Sequence, residues 1–333
     1  MKVLVTGANG LLGSHIVREL LRRDYPVRVL VRPQSNLKAL EGLNVEYFYG
    51  NLTEREDVFK AIKGCRYVIH SAARAVHSPS QLDAYRSVNI ESTGYITDAC
   101  MKENIQRLVY VSTANCIGSG TKMNPGTEDR PFISWFKGSG YAYSKLLAQQ
   151  LVLAAVESGT IDAVVVNPTF IIGSFPGASG TSKLLSFVLF RKVAFYPTGG
   201  KNYVDAEAAA TGTVNAMEKG RMGECYLLAG ENYTYREFLK LVAKEAGHHA
   251  ILLPVPVFLL KLAGIAGTIF ERLFKRPVLL TYVNSRILCL ENFYSPAKAI
   301  RELDMPLIPA IEALRKALPS FIELKKTKKK RIL

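Results

Sequence analysis

The chain has 333 residues, is 48% hydrophobic and carries a formal net charge of +15 from 43 basic and 28 acidic side chains. That length holds one large α/β unit and a smaller one. Five dispersed cysteines (Cys65, Cys100, Cys116, Cys225, Cys289) lack framework spacing, which excludes a disulfide scaffold and implies reduced thiols and a cytoplasmic location. The histidines form no metal motif, and the excess of positive charge comes with no nucleic-acid-binding motif.

Met1-Lys2 leads directly into Val3-Leu4-Val5-Thr6, an apolar run suited to a buried parallel strand, so no signal peptide is expected. The turn Thr6-Gly7-Ala8-Asn9-Gly10-Leu11-Leu12-Gly13 follows, then an amphipathic helix over residues 11–22 and a second strand over 27–31. In this order Gly7 permits the tight turn, Gly10 lets the backbone approach a pyrophosphate, and Gly13 lets helix and strand pack closely. The helix start adds free amides and a positive dipole end, so the segment predicts dinucleotide binding. An acidic residue ending the second strand would favour NAD. The chain has Val31-Arg32 there and no carboxylate before Glu41. Arg32 can pair with a 2′-phosphate through its planar donor fork, so NADP is the expected cofactor; the bland alternative is a solvated surface arginine.

Further along, Tyr141 and Lys145 stand four residues apart in Tyr141-Ala142-Tyr143-Ser144-Lys145, which sets phenol and ammonium on one helix face about a turn apart. A phenol titrates near pH ~10 in water. A neighbouring cation lowers that value toward the working range of a general acid/base. Together with the glycine turn, the pair predicts proton and hydride transfer at one site. Tyr143 has no lysine four residues on.

With Gly50-Asn51-Leu52, His70-Ser71-Ala72-Ala73, Val88-Asn89, Val111-Ser112-Thr113 and Asn167-Pro168 in the same order, the chain resembles an extended short-chain dehydrogenase/reductase over most of its first 230 residues. Val29-Leu30-Val31-Arg32 and residues 226–232 make it most similar to the branch of dihydroflavonol reductases, 3β-hydroxysteroid dehydrogenases and hopanoid-associated epimerase-like proteins. The resemblance implies an α/β Rossmann-type fold, a doubly wound parallel sheet with a smaller, mostly C-terminal substrate domain. It implies Tyr141 as general acid/base, Lys145 as the group that lowers its pKa and holds the nicotinamide ribose, and Thr113 as a hydroxyl on the substrate oxygen. It also implies Gly7, Asn9, Gly10, Leu11, Leu12, Gly13 and Arg32 around the dinucleotide, Asn51 and Leu52 near the adenine, Ala72 and Ala73 along the cofactor, and Pro168, Thr169 and Ile171 toward the nicotinamide. The family commonly has aspartate where this chain has Asn51, and Ser112 competes with Thr113 for the hydroxyl role. Asn89 is expected to cap or bridge. A homodimer is expected by analogy alone.

Residues 1–173 with 203–230 are expected to form the dinucleotide-binding unit, 174–202 with 231–324 the substrate unit, and 325–333 a solvated basic tail. The apolar stretch 251–270 contains Pro254, Pro256 and Lys261, which make it a poor membrane span. It reads as an extended entry into a helix that covers a substrate pocket, and with the basic tail it offers weak contact with an anionic membrane surface. Pro131, Phe132, Trp135 and Phe136 before Tyr141 line an apolar substrate wall or merely anchor a long loop. The leading functional reading is an NADP-linked oxidoreductase acting on an apolar or aromatic ketone, aldehyde or alcohol. A nucleotide-sugar epimerase or dehydratase, with Arg191 on a diphosphate, is the alternative. A dinucleotide sensor without catalysis is the third, and the retention of both Tyr141 and Lys145 speaks against it.

Overall fold

A computed structural model describes residues 1–76, 78–174, 185, 188–189 and 191–330, with no side chains described over 323–330. Much of the 174–202 segment and Arg331 of the basic run therefore lie outside the described residues.

The strands are β1 Val3–Thr6, β2 Val27–Val31, β3 Glu46–Tyr49, β4 Tyr67–His70, β5 Arg107–Val111, β6 Ala163–Pro168, β7 Phe170–Ile172, β8 Val193–Tyr196, β9 Gly200–Asp205, β10 Cys225–Leu228, β11 Glu231–Thr234, β12 Ile251–Pro254 and β13 Glu291–Asn292. The longer helices are α1 Leu11–Arg22, α2 Arg55–Ile62, α3 Ser92–Lys102, α4 Gly140–Glu157, α5 Ala206–Lys219, α6 Tyr235–Glu245, α7 Val257–Phe274, α8 Tyr282–Leu288, α9 Ala297–Leu303 and α10 Ala310–Lys330. A wide π-type turn over Arg86–Glu91 leads into α3.

Seven parallel strands form the main sheet in the order β10-β6-β5-β4-β1-β2-β3. Its central strands are buried on both faces, so β1 and β6 read as continuous apolar runs rather than alternating ones. Alternation decides which layer each residue joins. Val3 and Val5 pack with Ile16, Val17 and Leu20 of α1 and Val214 of α5. Leu4 faces the other way, into a layer with Val58 of α2, Ile96 of α3 and Ala148 and Val152 of α4. The strand order reverses at β1, where β2 and β4 flank it; there a crevice opens beyond the strand ends.

The chain departs from this sheet after β6. β7 pairs in parallel with residues 203–205 of β9, β13 pairs with Gly200 and Lys201, and β11 runs antiparallel along the opposite edge of β9. Residues 203–205, grouped from the sequence with the dinucleotide-binding unit, thus hydrogen-bond within this second sheet, while α5 behind them packs back into the main core. The second sheet has its own core, in which Tyr203 stacks on Phe238 of α6 with ring centroids 3.8 Å apart. α10 closes that core with Ala313, Leu314 and Ala317. Its backbone stays helical to Lys330, through most of the expected tail. Among the described residues no helix is long and apolar enough to cross a membrane.

Candidate active site

The crevice is a cleft of about 600 Å³ at the C-terminal ends of β1 to β6. At its floor Thr6 turns into Gly7, whose φ of +69° is a left-handed conformation that only glycine adopts without strain. A Cβ there would also lie 2.6 Å from the Ala72 amide nitrogen, so this glycine lets β1 and the end of β4 approach. The Gly10 amide bonds the Gly7 carbonyl at 3.0 Å, which closes the turn and starts α1. The first amides of a helix have no intrahelical acceptor, and Leu11, Leu12 and Gly13 all border the cleft. At one end Arg32, exposed at the tip of β2, and Ser35 line the opening.

At the other end stand Tyr141 and Lys145 on the first turns of α4, which Ser139 caps through its side chain on the Ala142 amide. Lys145 is 2% exposed. Its Nζ donates to the Val111 carbonyl at 2.8 Å and sits 4.2 Å from the Tyr110 ring centroid. Burial lowers its pKa to about 7. Burial likewise pushes the Tyr141 phenol up to about 12, against the opposing pull of a hydrogen bond with the Thr113 side chain. Both groups are thus held away from their charged forms. Desolvation outweighs that pull, which comes here from Thr113. Ser112, the competitor for that role, instead contacts Cys116 Sγ at 3.5 Å.

The surrounding polar network fixes these positions. His70 Nδ1 and Nε2 pair with the hydroxyls of Thr6 (2.7 Å) and Thr93 (3.1 Å), and Thr6 Oγ1 accepts from the Ala72 amide. Burial lowers the His70 pKa to about 3, so the ring is neutral. Asn89, within the π-type turn, accepts from the Arg74 amide at 2.7 Å and donates to Ser144 Oγ at 2.9 Å. It bridges the strap after β4 to the helix bearing Tyr141, a bridging role rather than a cap. Asn167 donates to the Thr113 carbonyl and to Gln149, each at 2.9 Å.

All the residues named from the sequence border this one cleft: Gly7, Asn9, Gly10, Leu11, Leu12, Gly13, Arg32, Asn51, Leu52, Ala72, Ala73, Thr113, Tyr141, Lys145, Pro168, Thr169 and Ile171. Asn51 accepts from the Thr53 amide and so shapes its own turn. Sequence reasoning missed Ser35, Thr53, Arg74 and Ala75; they follow strand ends by four or five residues, a signal available only once the strands are placed. The aromatic loop does not border the described cleft. Phe136 is buried against Phe132 and Trp135, and Trp135 lies under Arg286 of α8 at 3.9 Å, so these rings anchor the loop. Arg191 is outside the cleft lining as well. Among the described residues no cluster of His, Cys, Asp or Glu is set to hold a metal.

A dinucleotide fits this donor set: glycine amides at a helix start, a guanidinium and hydroxyl at one end, and a half-buried phenol with a buried ammonium at the other. Residues 3–226 match the NAD dependent epimerase/dehydratase family. Over 313 residues the chain is 30% identical to sterol demethylase protein B of Methylococcus capsulatus, spanning 92% of this chain and 93% of that one. It is 29% identical over 273 residues to a decarboxylating sterol-4-alpha-carboxylate 3-dehydrogenase of Dictyostelium discoideum, spanning 77% and 81%. Among solved structures it resembles UDP-glucose 4-epimerase of Thermus thermophilus in complex with NAD, with a TM-score of 0.76 at 24% identity over 96% of this chain and 99% of that one.

Proposed function

The chain belongs to the NAD dependent epimerase/dehydratase family, and we propose that within it this protein is an oxidoreductase that interconverts an apolar ketone or aldehyde and its alcohol, with NADP as cofactor. The observation that carries the reading is the hydrogen-bonded Tyr141–Thr113 pair beside Lys145, at the end of the cleft opposite Arg32. The two sterol-related relatives support an apolar substrate, and the arginine considered for a sugar diphosphate lies away from the cleft lining.

When bound, the dinucleotide supplies or accepts the hydride at its nicotinamide. The protein's part is position and proton. The start of α1 offers amides to the pyrophosphate, and Arg32 with Ser35 would hold the 2′-phosphate that distinguishes NADP. Tyr141, half-buried and neutral at neutral pH, holds the proton that a carbonyl oxygen needs as it gains negative charge. Thr113 donates to the phenol oxygen or to the substrate oxygen and steadies the charge that builds there. Lys145, with a pKa near 7, can exchange its own proton at neutral pH. In this reading the main sheet with α1 to α5 and α9 carries the dinucleotide, and elements around the second sheet carry substrate contacts.

Replacing Tyr141 by Phe tests this. The variant keeps the ring and its packing, so NADPH binding is expected to persist while turnover of an apolar ketone falls by about 10²–10⁴-fold. Comparable turnover would remove Tyr141 from the mechanism.

A further inference from the structure

Helix α7 is turned inside out. Only Gly264 and Glu271 of its eighteen residues are buried. They share the side facing the protein with Gly267 and Thr268. A Cβ at Gly264 would lie 2.8 Å from Ser285 Cβ of α8, Thr268 Oγ1 accepts from the Tyr282 amide at 2.8 Å, and the Glu271 carboxylate takes both the amide and the hydroxyl of Ser80 at 3.1 and 2.6 Å. The opposite side carries Phe258, Leu262, Ile265, Ile269 and Leu273, spaced as one helical stripe and between 43 and 72% exposed. A helix covering a core does the reverse. Of the two expectations for this stretch, a pocket cover and a membrane-surface contact, the exposed stripe suits the second: small and polar residues make the contact with the protein, and the apolar stripe faces outward as a continuous patch.

The charges identify what covers it. Between residues 251 and 290 the sole carboxylate is Glu271, and it is buried on Ser80. Lys261 and Arg272 border the stripe, and Lys275 and Arg276 follow its end, all exposed. A second copy meeting this face across a twofold axis would set these cations against one another with no exposed carboxylate of residues 251–290 to offset them. An anionic bilayer matches both features, acyl chains for the stripe and lipid phosphates for its cationic border. We propose that α7 docks the protein in the plane of an anionic phospholipid membrane.

Docking would bring the bilayer next to the cleft. The carbonyl of Ser80, the residue held by Glu271, accepts from the Gly140 amide at 2.8 Å, one residue before Tyr141, and Arg74 and Ala75 of the same strap line the cleft. A membrane route for substrate rests on the apolar-substrate reading above; docking itself does not.

The test is flotation of the full chain with vesicles of phosphatidylcholine alone or mixed with phosphatidylglycerol, followed by partition coefficients. The wild type is expected to float with the mixed vesicles and less at raised salt. Leu262→Glu/Leu273→Glu, with its unfolding midpoint and NADPH binding unchanged, is expected to partition at least ~10-fold more weakly. Lys261→Glu/Arg272→Glu is expected to lose about 10-fold or more on mixed vesicles and little on pure phosphatidylcholine. Three results would overturn the proposal: no flotation of the wild type, flotation of the Leu262→Glu/Leu273→Glu protein at the wild-type level, or a wild-type dimer that ignores vesicles and that those glutamates convert to monomer.

Discussion

Alanine at Gly10 and at Gly13 perturbs two different things, although both glycines belong to one turn. A Cβ at Gly13 would lie 2.7 Å from the Gly7 carbonyl carbon and 2.9 Å from Ala8 Cα, and closer still to the Gly7 oxygen. These are backbone atoms of the β1–α1 turn, so no side-chain rotation relieves the clash. Overpacking of that kind costs typically ~1–3 kcal/mol, and with only backbone to yield we expect the upper end, about 3 kcal/mol. Gly10 differs. Its φ of −86° and ψ of 173° suit alanine, and a Cβ there would meet only the Gly7 oxygen, at 3.2 Å. Removing a glycine from the unfolded chain stabilises by about 0.4–1 kcal/mol where the native conformation allows it, so Gly10→Ala is expected to match or slightly exceed the wild type in stability. Its methyl group would nevertheless stand at the mouth of the helix amides, where the pyrophosphate is expected. A steric cost of ~1–3 kcal/mol there weakens NADPH binding by about 5–150-fold. Urea unfolding and fluorescence titration with NADPH, run on both variants, read the two effects separately. Gly10→Ala binding NADPH as the wild type does would refute the amide-cradle reasoning, and Gly13→Ala as stable as the wild type would refute the packing reasoning.

Three further outcomes follow from named groups. His70 has a pKa near 3 in the fold against an ordinary 6.5, so between those values the unfolded chain binds more protons; its contribution to stability is complete above pH ~6.5 and is lost as pH falls toward ~3. Urea midpoints measured across that range should fall more steeply for the wild type than for His70→Gln, and parallel curves would show that the neutral ring is not what acid attacks. Arg32→Ala should raise the Kd for NADPH by roughly 10–100-fold, the loss of a charge-assisted hydrogen bond of ~1.5–3 kcal/mol, and leave NADH nearly unchanged. Equal weakening of both cofactors would assign Arg32 to general packing instead. Lys145→Met should remove the bond to the Val111 carbonyl and depress turnover at least as far as Tyr141→Phe does; a mild effect would make the ammonium a packing group only.

Much of the cleft was legible in the chain because its residues sit immediately after apolar strands. The bounds of α1 follow from Gly10 at its start and from the apolar spacing of Leu12, Ile16, Val17 and Leu20. The four-residue spacing of Tyr141 and Lys145 carries over directly to one end of the cleft. Other features depend on partners far away in sequence. Residues 203–205 look like another core strand, and only their pairing with β7 and β11 assigns them to the second sheet. The direction of the Tyr141 pKa needed the depth of burial, which four-residue spacing does not give. The rings of Phe132, Trp135 and Phe136 are equally apolar in a pocket wall or in an anchor, and the stacking of Trp135 under Arg286 decides for the anchor. The outward stripe of α7 was visible as hydrophobicity, but its direction was not, since Gly264 and Glu271 reveal the protein-facing side only after α8 and Ser80 are in place.

The central claim is hydride exchange between a nicotinamide dinucleotide and a carbonyl carbon at Tyr141. It is tested most directly by incubating the protein with NADPH deuterated at C4 and an apolar ketone, then weighing the products. The account predicts one deuterium on the carbinol carbon, NADP+ formed in equal amount, and both products formed about 10²–10⁴-fold more slowly with Tyr141→Phe. Unlabelled substrate and unchanged dinucleotide, beside a nucleotide sugar that the protein does convert, would contradict it.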